Sequence, residues 1–290
     1  MDATSLAEQM LFNTIKIETE NHNGQRGTGT GFFYRVDKPI GSVTFIVTNK
    51  HVIKNTKLGR LHIQRRDGDK VVIRAGIDIE IQQDIWQQMW VGHPDPNVDI
   101  AVCAFGPITN YLKEVFGFDA FYKTVGMSIT PDASKLKEIS AIEEVTFIGY
   151  PNNIWDKVNK LPVVRKGLTA TPVDIDYEDK PQFLIDASVF GGSSGSPVFI
   201  YNIGQYSNRK GEIDFGARLL FVGVVAAVYF KTKYNEVVSM PIPTSLKQTV
   251  KQSEMIDLGI VFKARTVVEA IDNYLGVATE RMGLMNLRAL

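Results

Sequence analysis

Ser194 sits in Gly191-Gly192-Ser193-Ser194-Gly195-Ser196-Pro197, a glycine-flanked turn between the apolar runs Phe183-Leu184-Ile185 and Val198-Phe199-Ile200. A hydroxyl is a weak nucleophile until a base, an orienting acid and an oxyanion site surround it. Two candidates stand upstream. His51 lies in Val47-Thr48-Asn49-Lys50-His51-Val52-Ile53, and Asp99 in Asn97-Val98-Asp99-Ile100-Ala101-Val102. His, then Asp, then Ser is one of the chain orders known for a Ser-His-Asp triad. The chemistry such a set performs is acyl transfer.

Each residue alone has a plainer reading. A Gly-Ser-rich turn is most often a hairpin turn. A lone His at a strand end is most often a surface residue, and Asp99 alone reads as a strand-start cap. Together and in order they point to a site. Gly192 has no Cβ to hinder its N–H, so Gly192 and Ser194 are the expected oxyanion donors. A carboxylate at the mouth of the apolar run 100–105 needs a donor, and a His N–H is one. Asp95, the nearest competitor to Asp99, is boxed by Pro94 and Pro96. His22, His62 and His93 lack metal-ligand spacing and are expected at the surface or in loops, so no metal is expected. Cys103 reads as a small buried hydrophobe.

Many short strands must position these residues. Residues 29–36 and 43–48 read as a hairpin, its turn at 37–42, ending just before His51. Further strands are expected near 61–64, 70–74, 77–81, 99–104, 144–151, 163–170, 182–187, 198–201, 219–228 and 237–241. Helical character is expected at 4–12, 111–115, 244–250 and 266–275. Short strands punctuated by Gly and Pro argue for antiparallel barrels or a sandwich. The expected division is 1–125 (helix and first barrel, with His51 and Asp99), 126–250 (crossover and second barrel, with Ser194) and 251–290 (a partly helical extension). The apolar residues of that extension are expected to pack back on the second barrel or to dock a partner, and the segment 201–217 is expected to be a loop.

The composition is that of a globular chain: 290 residues, 44% hydrophobic and 22% charged. Lys+Arg and Asp+Glu balance at 32 each, which gives no footprint for nucleic acid or an anionic membrane. The single cysteine forms no intrachain disulfide, and no signal peptide or membrane span is visible. The expected compartment is the cytoplasm, and no cofactor is expected.

The motifs resemble those of chymotrypsin-like (trypsin-fold) serine peptidases, nearest to the bacterial Htr type. The resemblance rests on Gly27-Thr28-Gly29-Thr30-Gly31-Phe32, Thr48-Asn49-Lys50-His51-Val52, Asp99-Ile100-Ala101-Val102, Gly149-Tyr150-Pro151, Ile185-Asp186-Ala187-Ser188 and Met240-Pro241-Ile242-Pro243, across roughly residues 25–250. It implies an all-β chain of two antiparallel six-stranded barrels with short terminal helices. It also implies His51 as base, Asp99 as orienting acid and Ser194 as nucleophile of a serine endopeptidase acting on polypeptides. Two departures stand out. Gly195-Ser196-Pro197 replaces the usual Gly-Gly-Pro. Ser193 stands where digestive members carry Asp, so activation by a freshly cut amino terminus is not expected. Only 40 residues follow position 250, so the PDZ domain frequent in the Htr group is not expected.

The resemblance places the primary pocket at Ser188, Val189 and Phe190, with Ala226 and Val228 from the strand 223–229. None is acidic, which disfavours cleavage after Lys or Arg and suggests a small or medium apolar side chain. A regulatory protein partner is expected to restrain such an enzyme in a cell. The alternative is a catalytically silent subunit that uses the fold to bind peptides or partners.

Overall fold

The computed structural model describes residues 2–39, 41–237 and 248–288, with side chains given outside 228–256 and 279–288. Helix α1 (Leu6–Leu11) opens the chain. Ser5 Oγ accepts from the Glu8 N–H, and the Glu8 carboxylate accepts from the Ser5 N–H, a reciprocal cap.

The first sheet holds β1 (Thr14–Glu20), β2 (Arg26–Lys38), β3 (Gly41–Thr48), β4 (Leu58–Asp67), β5 (Lys70–Gln82), β6 (Val91–Gly92), β7 (Ala101–Ala104), β8 (Ala120–Phe121) and β9 (Val125–Gly126). Its path runs β5-β4-β1-β2-β3-β7-β6, with β8 beside β4 and β9 beside β2. Short helices α2 (Lys50–Ile53), α3 (Gln83–Met89) and α4 (Gly106–Phe116) fill connections. After α5 (Ala133–Leu136), the second sheet holds β10 (Glu144–Gly149), β11 (Val163–Thr169), β12 (Gln182–Asp186), β13 (Pro197–Ser207), β14 (Ile213–Val237) and β15 (Gln248–Lys263). Its strands join in a ring, β10-β11-β12-β15-β14-β13, antiparallel throughout. Helix α6 (Ala264–Arg288) follows.

The chain is mostly β, in two sheets, as expected. The sheets depart from a matched pair of six-stranded antiparallel rings. The first has nine strands, and its β2–β9 pair is parallel. Strand β1 was not among the expected strands. Its Ile15 and Ile17 are buried on one face, while Lys16 on the other face is buried too, beneath the Trp155 ring and against Glu18.

The expected boundary at 250 falls inside β15, which pairs with both β12 and β14 and completes the ring. The helix expected at 244–250 lies mostly outside the described residues, as does most of 237–241. Ile260, Val261 and Phe262, read as a tail, belong to this ring: Val261 packs in the second sheet's own core, and Phe262 in the core between the sheets. Side chains of Met282, Leu284, Met285 and Leu287 are outside the described set. The segment 201–217 is a hairpin of β13 and β14, not a loop.

Among the described residues, three large apolar cores hold the fold, beside a small cluster of Ala3, Phe12, Val71 and Phe121. One lies in each sheet, around Ile17, Ile46 and Leu61 and around Phe147, Phe183 and Val198. The third joins them: Phe32, Tyr34 and Phe45 of the first sheet meet Phe199, Phe221 and Phe262 of the second and Val267, Ala270 and Ile271 of α6. Phe221 sits 5.2 Å from Phe32 and 5.9 Å from Phe199, ring centre to ring centre. This seam fixes the two sheets against each other. The expectation that the terminal helix packs back on the second barrel is met in part, since α6 also covers β6 and β7 of the first sheet.

Candidate active site

The Thr48-Asn49-Lys50-His51 segment ends β3 and turns into α2, and each polar residue in it is anchored. Thr48 Oγ1 donates to the Thr30 carbonyl at 2.7 Å. Asn49 Nδ2 donates to the Asp99 carbonyl at 2.6 Å, tying the turn of His51 to the loop of Asp99. Lys50 Nζ donates to the Asp95 carbonyl at 2.8 Å. Burial pulls the Lys50 ammonium below the usual lysine range, against the raising effect of Asp99 and Asp95.

Asp99 meets His51 twice. Its Oδ2 lies 2.5 Å from His51 Nδ1, and its Oδ1 accepts the His51 backbone N–H at 3.0 Å. An ionised carboxylate only accepts, so Nδ1 carries a proton, and in the neutral ring that leaves the lone pair on Nε2. Asp95 does other work: its side chain accepts from the Asn97 N–H and shapes the turn. Of the histidines expected at the surface or in loops, His93 lies in the loop after β6 but is not at the surface, and His62 lies in β4 with its side chain largely covered. His93 is buried, with Nε2 2.9 Å from Glu269 of α6. His62 Nδ1 lies 2.6 Å from Asp78, whose carboxyl it holds below the usual range. Cys103 is buried, and burial pushes its thiol pKa up, as expected of an inert core residue.

The serine turn is held by its carbonyls. Gly191 O accepts from Asn152 N–H at 2.5 Å, and Ser193 O from Ser196 N–H at 3.0 Å. Gly192 O accepts from Thr30 Oγ1 at 2.9 Å, and Ser194 O from Thr30 N–H at 2.9 Å. In a trans peptide the next residue's N–H points opposite to the carbonyl. The N–H groups of Gly192 and Ser194 are therefore turned away from these anchors, and among the described residues neither donates to a protein acceptor. By contrast, the Ser193 N–H donates to Phe190 O and the Gly195 N–H to Val225 O.

Glycine is required at two places. Gly192 has φ +85° and Gly195 has φ +87°, in the left-handed region. A Cβ on Gly195 would also overlap the Thr30 carbonyl oxygen. Gly195→Ala is expected to destabilise the fold by about 3 kcal/mol or more, seen as a lower midpoint in urea. An unchanged midpoint would contradict this docking of the turn.

The Ser194 hydroxyl donates to the Ala226 carbonyl at 3.4 Å. Among the described residues it makes no hydrogen bond with His51. The structure thus pairs His51 with Asp99 and sets Ser194 beside two outward N–H groups, with its hydroxyl turned to Ala226.

The expected pocket residues divide. Ser188 is exposed and Phe190 partly so, while Ala226 is buried. Val189 is a correction: it packs into the core of the second sheet at 2% exposure and forms no open wall. Val228 pairs with Gly259 through the backbone, and its side chain is outside the described set.

Three residues were not singled out by sequence reasoning. Thr30 holds two carbonyls of the turn. Asn152 holds a third from a left-handed backbone at φ 47°. Arg165 of β11 bonds both the Ser188 carbonyl and the Ser193 hydroxyl, its guanidinium 4.9 Å over Phe147 and 5.3 Å over Phe190. It pairs with no carboxylate among the described residues, and burial lowers its pKa. Glycine at every second position of 27–31 is a signal that another segment lies close to that strand. Nothing local marks Arg165 or Asn152.

A family model described as the trypsin-like peptidase domain matches residues 29–205, a span that contains His51, Asp99 and Ser194. Among solved structures, the active form of the Rv3671c protease from M. tuberculosis aligns at 15% identity over 93% of this chain and 84% of that chain, TM-score 0.44. The serine endoprotease from Yersinia pestis aligns at 16% identity over 92% of this chain, TM-score 0.46; the chain spans 64% of that structure's length. No curated protein matches the chain significantly. The assignment rests on the family match, which takes in more than half of the sequence: the chain belongs to the trypsin-like peptidase domains, the serine peptidases of the trypsin fold.

Proposed function

We propose that the chain hydrolyses peptide bonds through an acyl-enzyme on Ser194, with His51 as general base and then acid, and Asp99 as the group that orients the imidazole. The observation that carries this reading is the serine turn. Four consecutive carbonyls are engaged, and among the described residues the N–H groups of Gly192 and Ser194 are left outward and unengaged beside a serine hydroxyl. Such a pair is the donor set a tetrahedral oxyanion needs. His51 presents Nε2 with its lone pair, because the Nδ1–H is donated to Asp99. Rotation about the Ser194 Cα–Cβ bond, from the Ala226 carbonyl toward His51, starts the reaction; in ligand-free sites such hydrogen bonds often form only with substrate. His51 takes the hydroxyl proton as Oγ attacks, then gives it to the leaving amine. Water enters by the same route in reverse and releases the acid.

The substrate is a polypeptide, with the side chain before the cut directed to Ser188, Phe190 and Ala226. Base and acid come from the first sheet and the nucleophile from the second, so the substrate lies along the seam. Arg165 ties the two ends of the segment 188–193. Arg165→Ala is expected to lower kcat/KM about 10- to 100-fold by misplacing the turn. Arg165→Lys is expected not to restore it, because an ammonium does not bridge two fixed acceptors as a guanidinium does. Full activity in Arg165→Ala would remove it from the site.

A second reading is a silent binding subunit. It is favoured by one observation, the Ser194 hydroxyl bonded to Ala226 O and not to His51. Incubation with a mixed peptide library, read by mass spectrometry, separates the two. New termini at defined positions are expected. Retention of intact peptides without cleavage would support the binding subunit.

A further inference from the structure

We propose that Thr30, a residue of the first sheet, is the positioning residue that keeps the anion-binding turn of the second sheet in its working shape; this rests on the peptidase reading of Ser194. Thr30 is fully buried. Among the described residues it makes four hydrogen bonds, three of them across the seam. Its N–H donates to Ser194 O at 2.9 Å, its Oγ1 donates to Gly192 O at 2.9 Å, and the same Oγ1 accepts the Tyr150 N–H at 3.1 Å. The fourth runs within the first sheet: Thr48 Oγ1 donates to the Thr30 carbonyl at 2.7 Å, three residues before His51. One residue thus touches the strand that ends at the base, the turn of the nucleophile and the segment 150–152.

The peptide units of the turn alternate in how they are held. Peptides 192–193 and 194–195 are fixed at both ends: their N–H groups donate to Phe190 O and Val225 O, and their carbonyls accept from Thr30. Peptides 191–192 and 193–194, which carry the two oxyanion N–H groups, are fixed only at the carbonyl. Their outward N–H groups keep direction through those carbonyl bonds, from Asn152 and from Ser196, and through the fixed peptides on either side. Gly192, at φ +85°, is the weak link, since glycine also reaches the conformations that would swing its N–H inward. The Asn152 N–H opposes that swing directly at the Gly191 carbonyl, and the Thr30 hydroxyl fixes the peptide on the other side of Gly192 by holding the Gly192 carbonyl. The hydroxyl receives the Tyr150 N–H at the same oxygen, so removing it leaves a buried donor and a buried acceptor unpaired.

The test compares Thr30→Val, which keeps shape and loses the hydroxyl, with Thr30→Ser, which keeps the hydroxyl. Thr30→Ala replaces the valine variant if that variant does not fold. Two measurements are made: the rate of labelling by a fluorophosphonate together with kcat and KM, and amide hydrogen exchange of the segment 188–197. The expected result for the valine variant is a labelling rate and kcat down about 10- to 100-fold with little change in KM, and faster exchange in 188–197. The serine variant is expected near wild type in both. Wild-type labelling and wild-type exchange in the hydroxyl-free variant would overturn the proposal. If wild type itself is not labelled while exchange still separates valine from serine, the peptidase reading fails and the positioning role of Thr30 stands.

Discussion

Replacing Ser194 with alanine is expected to lower turnover of a cleavable peptide about 10⁶-fold, to the level left by binding and the oxyanion donors alone. In the proposed mechanism the side chain supplies the attacking oxygen, and no neighbour in the turn is placed to replace it. Ser193 and Ser196 are buried; the Ser193 hydroxyl is bonded by Arg165, and Ser196 lies on the far side of Gly195. The fold is expected to survive, because the Ser194 hydroxyl makes only one long bond, to Ala226 O at 3.4 Å. His51→Ala is expected to cost nearly as much, and the double variant little more than either, since nucleophile and base act as a unit. Independent, multiplying losses in the double variant, measured as kcat/KM, would contradict that unit.

Asp99→Asn is expected to lower kcat about 10⁴-fold with little change in KM. Asp99 accepts two hydrogen bonds from one residue, at His51 Nδ1 and at the His51 N–H. An asparagine can keep only one as acceptor. Its amide NH₂ would face Nδ1, favouring the tautomer that protonates Nε2, and a protonated Nε2 cannot accept the serine proton. The backbone should hold, because Asn49 Nδ2 bonds the Asp99 carbonyl, which the substitution leaves intact. Circular dichroism and the urea midpoint are expected to stay near wild type while kcat falls. A kcat within tenfold of wild type would mean that Asp99 does not set the tautomer.

The parts of this site carried by short contiguous motifs were legible in the sequence. A histidine after a β-branched strand, an aspartate before an apolar one and a serine between glycines each have a local pattern. The preference for Asp99 over Asp95 as the partner of His51 rested on the prolines that box Asp95, and Asp99 is the carboxylate in contact with the His51 ring. What was not legible depends on distant partners. Thr30 bonds residues 120 and 162 positions away, and Arg165 bonds residues 23 and 28 positions away. No local rule picks a threonine in a glycine-rich strand as a contact of the nucleophile turn. Val189 read as pocket lining by its place before the serine, but strand packing took it into the core.

The same division holds for the fold. Hairpin β2–β3 follows from β-branched runs around turn residues, and α1 from its cap. Strand β1 escaped because its second face is charged and looks solvated, whereas Trp155 and Glu18 cover Lys16. Strand β15 escaped because ring closure brings it to β12 and β14, and neither partner is near in sequence to its apolar end.

The central claim is that the residue-194 hydroxyl is an activated nucleophile, and covalent capture tests it most directly. The purified protein is treated with a fluorophosphonate and digested, and the adduct is located by tandem mass spectrometry. The account predicts one adduct, on Ser194, lost in Ser194→Ala and strongly slowed in His51→Ala. A protein that cleaves peptides yet carries no adduct there, or carries it on another serine, would contradict the account.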